Sequence, residues 1–355
     1  VLAFAGFEGM AAKFKEEPTV RLKLGRGRSE TTVEVFDRPP RRPSVISVAN
    51  PAGGADIPVE VNDPAAAQFA SRLRKVARER RKWAAREGVA CYRLYDADVP
   101  EYACAIDLYE GAAEAEGELY AHVAEYAPPK SVDPEQAHAR FEDVLALVPV
   151  VLGIPPEHVF SKSRLRAKGG GQYRDAGGRR FVTHTSEDGL ICEIDLGGYL
   201  DTGIFLDHRV TREMVGKMAA GKRFLNLFAY TGGATIACAA AGASVCHVDA
   251  AKGMVLWAKE NAKVSGLEDR PIRWIVDDCA KFVEREIRRG KTYDAIIMDP
   301  PSYGRGPGGE IWKLEDNVYD LITLTEQVLS DDPLFFAINS YTEGLSPAVM
   351  EYIVK

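Results

Sequence analysis

Residues 222–231 read KRFLNLFAYT; Gly232 and Gly233 follow directly, and the next apolar run ends in Asp249. An apolar run of strand length breaks into a glycine turn, and a helical pattern opens at 233. The same alternation continues downstream. It predicts strands at 223–228, 244–248, 272–276, 293–298 and 334–338, with helices at 233–241, 252–264, 279–289 and 315–330. Strands alternating with helices imply an α/β fold, a mostly parallel Rossmann-like sheet covered on both faces. In such a sheet the ligand crevice lies at the carboxyl ends of the strands, where the strand order reverses.

The first loop of that crevice supplies Asn226, Phe228, Tyr230, Thr231 and Gly232, the second strand Asp249 and the third Asp278. A carboxylate in the place of Asp249 suits bidentate binding of a ribose diol, and Asp278 can accept from an adenine amino group. The glycines let backbone approach a ligand. The free N–H groups opening the helix at 233 favour a carboxylate. Asp207 or Arg209, just upstream, can clamp a zwitterionic tail. A dinucleotide site wants G-x-G-x-x-G, and Tyr230–Thr235 reads YTGGAT instead. Ribose, adenine and an amino-acid tail together describe S-adenosylmethionine (SAM).

A second signature, Asp299-Pro300-Pro301-Ser302-Tyr303, ends the strand Tyr293–Met298. Two prolines stiffen the exit and remove two N–H donors. They brace the Asp299 carboxylate towards the donor's methyl group, and Tyr303 can stack on an extruded base. Methylation of a pyrimidine carbon-5 needs a cysteine nucleophile. The last of the six cysteines is Cys279, and the fifth strand exits as Ala337–Thr342, AINSYT, without a thiol. A ring nitrogen such as guanine N7 carries a free lone pair and needs no general base. Asp299 then reads the guanine's N1–H and N2 donors. An exocyclic amine stays open as an acceptor, as does a non-RNA acceptor. So does a different class of protein, a non-catalytic RNA-binding module on a dead core.

At 355 residues two or three units are expected, and the net charge of −7 confines any RNA surface to a local patch. Residues 1–37 read as the tail hairpin of a preceding domain, and the Pro- and Gly-rich 38–63 as a linker. Residues 64–88 are a basic helix, 89–198 a small α+β unit, and 199–355 the parallel-sheet domain. The helix carries Arg74, Arg78 and Arg81; the basic loop after Ser163 carries Arg164, Arg166 and Lys168. These are the candidate RNA contacts. The cysteines form no C-x-x-C pair or zinc spacing, so no metal is expected and buried thiols in a reducing compartment are. No apolar run approaches a membrane span.

Several segments resemble a known family. They are Cys91–Tyr102 (CYRLYDADVPEY), Glu125–Lys130 (EYAPPK), Tyr199–Arg209 (YLDTGIFLDHR), 224–232 (FLNLFAYTG) and 299–303 (DPPSY). Over about 64–330 the chain resembles the guanine-N7 methyltransferase half of the bifunctional bacterial 23S ribosomal RNA methyltransferase. The resemblance implies a class I SAM fold behind an accessory RNA-binding α+β domain, a cytoplasmic enzyme, and one 23S rRNA guanine as substrate. It places Asn226, Tyr230, Thr231, Gly232, Asp249 and Asp278 in the donor pocket and Asp299 in the target pocket. Residues 1–37 then resemble the closing hairpin of the guanine-N2 half. The stretches 247–267 and 304–316 are similar to a related branch of SAM-dependent methyltransferases. The chain is expected to be a fragment, since a last antiparallel hairpin would lie beyond Lys355.

Overall fold

The computed structural model describes residues 2–5, 20–26, 29–36, 43–129, 131–163, 180–198, 201–305, 311–342 and 345–354. Arg164, Arg166 and Lys168 lie outside the described residues. At the start, β1 (Leu2–Ala5), β2 (Val20–Arg26) and β3 (Ser29–Phe36) form an antiparallel sheet in the order β1-β3-β2. The expected hairpin is therefore β2–β3, and a third strand joins it.

The stretch read as a linker carries structure. Within it β4 (Ser44–Val48) and β5 (Ile57–Val61) pair antiparallel. Val48, Val59 and Val61 are buried against helices α1 (Ala66–Glu87) and α2 (Pro134–Leu152). Alternating β-branched residues in short runs make this hairpin, although proline and glycine dominate the composition around them. Helix α1 buries Phe69, Leu73, Val76, Ala77 and Ala84 on one stripe and stops at Gly88, whose φ of 66° is left-handed. Helix α2 starts at Asp133, whose carboxylate accepts from the Glu135 N–H, with Pro134 in its first position.

Both helices cover one face of a sheet in the order β6-β7-β8-β9: β6 (Cys91–Asp96), β7 (Cys104–Glu110), β8 (Leu119–Glu125) and β9 (Val159–Ser163). The first three strands are antiparallel and β9 joins parallel. A bulge between Arg93 and Tyr95 turns both Leu94 and Tyr95 into the core. Arg93 is left to pair with Asp107.

The hairpin β10 (Val182–Glu187) and β11 (Leu190–Asp195) was assigned to the accessory unit by the boundary at 198. It packs on both units. Cys192, Ile194 and Leu196 share one apolar cluster with Cys91, Tyr109 and Tyr120 on one side and Ile236, Ala262 and Leu267 on the other.

The second unit is a five-stranded parallel sheet in the order β14-β13-β12-β15-β18. Its elements are α3 (Arg209–Met218), β12 (Arg223–Leu227), α4 (Gly233–Ala240), β13 (Ser244–Asp249), α5 (Lys252–Val264), β14 (Ile272–Val276), α6 (Cys279–Arg288), β15 (Ala295–Met298), the small hairpin β16 (Tyr303–Arg305) and β17 (Ile311–Lys313), α7 (Leu314–Glu326), β18 (Phe335–Ile338) and α8 (Pro347–Val354). The chain starts in the middle at β12, runs outward to β14, then crosses back to β15. That reversal opens the crevice between the ends of β12, β13 and β15. Among the described residues no helix is long and apolar enough to cross a membrane.

Candidate functional site

The loop leaving β12 is held in a conformation that L-residues rarely adopt. Phe228 and Tyr230 have φ of 55° and 50°, and Gly232 has 80°. Two such non-glycine residues in three positions persist only where surrounding contacts over-determine them. Those contacts are visible. The Phe228 N–H points to the Cys279 thiol at 3.3 Å, and the Tyr230 N–H donates to Asp249 Oδ2 at 2.9 Å. Buried Thr231 donates to the Gly203 carbonyl at 2.5 Å, and its own carbonyl accepts from Asn261 Nδ2 at 2.8 Å.

Asn261 has a second task. Its Oδ1 accepts from the Glu193 N–H at 2.7 Å, so one buried amide ties the loop to β11. Asn261→Ala would leave a buried N–H and a buried carbonyl without partners, at about 1–3 kcal/mol each. Partial access to water reduces the sum, so the expected loss is about 2 kcal/mol, read as a lower midpoint in denaturant unfolding.

Asp249 ends β13 with both carboxylate oxygens on backbone: Oδ2 on Tyr230 and Oδ1 on the Ala251 N–H at 2.8 Å. Burial pushes its carboxyl above the usual range, and the two N–H groups pull it back. Its orientation is thus fixed while further lone pairs stay available. Asp278 caps α6, its Oδ1 accepting from the Lys281 N–H at 3.0 Å, and is exposed. Its neighbour Asp277 is engaged by Arg285.

Other positions turn inward. Asn226 is buried and donates to Thr235 Oγ1 at 3.0 Å, which in turn meets His247 Nδ1 at 3.0 Å. Burial lowers His247 to about 3, so this chain beneath α4 carries no charge. The glycines answer to protein neighbours. A Cβ on Gly232 would lie 2.8 Å from that of Ala258, and one on Gly233 would lie 2.9 Å from Arg212 Cδ. Arg212 is buried, with a bidentate pair to Glu187 at 2.5 and 2.7 Å and a bond to the Phe205 carbonyl at 2.9 Å. This pins the segment that leads into α3. Arg209 pairs with Glu213 of its own helix at 3.6 Å.

On the other side of β12, Asp299 leaves β15 half-buried and Pro300 buried; the Pro301 carbonyl accepts from Trp312 Nε1 at 2.8 Å. The Asp299 Oδ1 accepts from Asn339 Nδ2 at 2.9 Å, and the same nitrogen lies 3.1 Å from His208 Nε2. His208 Nε2 is 2.7 Å from the Tyr341 hydroxyl, which donates to Asp207 Oδ2 at 2.7 Å. Burial raises the Asp299 carboxyl; the Asn339 bond and His208 pull it down, and Asp207 pushes it up. Tyr303 opens the β16–β17 hairpin opposite Lys313 and is exposed. Sequence reading missed His208, Asn339 and Tyr341. The one available signal was the polar run AINSYT at a strand exit.

The family model described as S-adenosylmethionine-dependent methyltransferase matches residues 119–345. The chain belongs to that family. A curated relative from Allochromatium vinosum, named ribosomal RNA large subunit methyltransferase K/L, is 44% identical over 300 residues, covering 82% of this chain and 40% of that protein. The protein of the same name from Stutzerimonas stutzeri is 46% identical over 286 residues, covering 80% and 38%. The chain thus spans about two fifths of the length of these relatives. Among solved structures, a SAM-dependent methyltransferase from Agrobacterium tumefaciens is 30% identical with a TM-score of 0.52, covering 71% of this chain and 74% of that one. SMU.776, complexed with SAH, gives a TM-score of 0.65 at 22% identity over 87% and 77%, and supports the fold.

The crevice fits the family's donor. A half-buried carboxylate held by two backbone N–H groups, with no described cation on it, suits a neutral diol. Exposed Asp278 stands at the end of the next strand, where an adenine amino group would find an acceptor. The thiols do not fit nucleophilic catalysis: all six cysteines are buried, and burial raises those of Cys91 and Cys192 to about 12.

Proposed function

We propose that this chain transfers a methyl group from SAM to a guanine of 23S ribosomal RNA, at N7. The observation that carries the reading is the pair of carboxylates flanking β12, Asp249 fixed by backbone on one side and Asp299 held by Asn339 on the other. Relatives named as large-subunit rRNA methyltransferases support the substrate class. When bound, SAM supplies a methyl carbon already activated by its sulfonium. Asp249 holds the ribose and Asp278 the adenine, while Asp207 accepts from Tyr341 on the target side. Asp299, braced by Pro300 and Pro301, accepts from the guanine and fixes its attack line; alignment of this kind is worth several kcal/mol. No proton leaves N7, so Asp299 orients the base and faces the positive charge that the methylated ring acquires. Such an enzyme works in the cytoplasm on the rRNA or its assembly precursor.

The test is mass spectrometry of nucleosides from protein-free 23S rRNA incubated with the protein and SAM. N7-methylguanosine is expected. N2-methylguanosine in its place would move the target atom, and unmethylated rRNA would overturn the reading.

The RNA path runs along α1. Arg74, Arg78 and Lys82 are exposed on it, whereas Arg81 donates to the Leu152 carbonyl at 2.8 Å and joins α1 to the end of α2. Arg81 therefore serves the fold. Replacing Arg74, Arg78 and Lys82 with alanine should flatten the plot of log affinity against log salt by roughly 2–3 units of slope. Filter binding at several salt concentrations reads this, and an unchanged slope removes α1 from the RNA path.

A further inference from the structure

Four rings stand in a row along the mouth of the crevice. Tyr230, on the donor loop, lies 5.0 Å from Phe205 between centroids; Phe205 lies 6.5 Å from His208, and His208 lies 6.1 Å from Tyr341. The row ends beside the acceptor acid, because Tyr341, His208, Asn339 and Asp299 are joined by successive polar contacts of 2.7, 3.1 and 2.9 Å. Tyr341 is anchored at its tip by both Asp207 and His208, yet the residue is 57% exposed. Its loop is tied to the proline-braced one, since Thr342 Oγ1 donates to Ser302 Oγ at 3.0 Å.

An exposed aromatic residue alone needs no explanation. This one has a fixed orientation, a ring left open to solvent, and a hydrogen-bonding carboxylate two side chains away. A flat π-face next to an edge-reading acceptor is what an unstacked nucleobase requires.

We propose that Tyr341, backed by His208, is the platform on which the extruded target guanine stacks, its face on the Tyr341 ring and its edge on Asp299. The proposal rests on the rRNA reading above and assigns the base-binding surface within it. Phe205 and Tyr230 continue the surface towards the donor.

The test compares Tyr341→Ala, Tyr341→Leu and Tyr341→Phe on protein-free 23S rRNA, with the SAM dissociation constant of each read by calorimetry as a check on the donor site. Stacking on an aromatic side chain is worth about 1–3 kcal/mol per base, or about 5- to 150-fold. Tyr341→Ala and Tyr341→Leu should lose kcat/KM for RNA within that range while SAM affinity holds. Tyr341→Phe, which keeps the ring, should recover most of the loss. Wild-type kcat/KM in the alanine variant overturns the platform, as does a phenylalanine variant as poor as alanine, which would make the hydroxyl the active part. If the wild-type protein methylates no rRNA, the underlying reading fails first and the platform falls with it. If the wild type is active and Tyr341→Ala matches it, the platform alone fails.

Discussion

Asp249→Ala is expected to weaken SAM binding by at least a hundredfold, measured by calorimetry at pH 7–8. The carboxylate does two jobs. In the proposed site it accepts from the ribose, and in the fold it accepts from the Tyr230 N–H at 2.9 Å and the Ala251 N–H at 2.8 Å. Hydrogen bonds to a charged group are worth about 1.5–3 kcal/mol each, so loss of two to the ribose predicts about 3–6 kcal/mol, or roughly 10²–10⁴ in affinity. The loop adds to this. Phe228 and Tyr230 sit at φ of 55° and 50°, and Asp249 holds the second of them through its N–H. Asp249→Asn strikes both jobs at once. It keeps the shape, but an amide nitrogen must then face one of two backbone donors, so it should lose most of the affinity as well. Burial raises the Asp249 carboxyl, and the proposed ribose contact needs the ionised form. Affinity should therefore hold above that raised value and fall as pH drops through it, earlier than for a solvent-exposed aspartate. A dissociation constant within threefold of wild type for Asp249→Ala would remove the ribose from this carboxylate.

The parallel sheet was legible because three of its five strands are short runs that end at or just before an aspartate: Asp249, Asp278 just past β14, and Asp299. The hairpin β4–β5 was hidden because proline and glycine around it outweigh two five-residue runs. Helix α3 was missed for a different reason. It leaves Val210, Met214 and Met218 exposed and buries Arg212 with Val215, which inverts the usual apolar stripe.

The donor loop shows a subtler limit. Position in the sequence placed Asn226, Thr231 and two glycines at the crevice, but a strand covered on both faces sends its side chains under helices. Asn226 therefore meets Thr235, Gly232 packs on Ala258, and Gly233 on Arg212. The array around Asp299 was illegible because it joins residues far apart in the chain, with Tyr341 and Asp207 separated by 134 positions. Polar side chains in loops carry no period by which to find one another.

Asp299→Asn should cut kcat for rRNA methylation by about a thousandfold, with SAM affinity within a few-fold of wild type. The substitution keeps volume and planarity and removes one charge. Attack by N7 turns a neutral ring into a cation, so a carboxylate already oriented in a half-buried site stabilises the transition state more than the ground state. Loss of one preorganised group of this kind costs about 10²–10³, and misalignment of the base adds to it. The pH profile gives the independent readout. Burial lifts the Asp299 carboxyl above the usual carboxylate range, against the pull of Asn339 and His208 and with the push of Asp207. Because the ionised form is the active one, kcat should be full above the raised value and decline as pH falls through it. That acid limb should vanish in Asp299→Asn, leaving a low, flat profile. Asn339→Ala should move the limb as well, because Asn339 donates the 2.9 Å bond that favours the ionised acid. Without that bond the carboxyl rises further, and the limb shifts to higher pH. A wild-type kcat in Asp299→Asn, or an acid limb that persists in it, would assign the charge-stabilising role to another group.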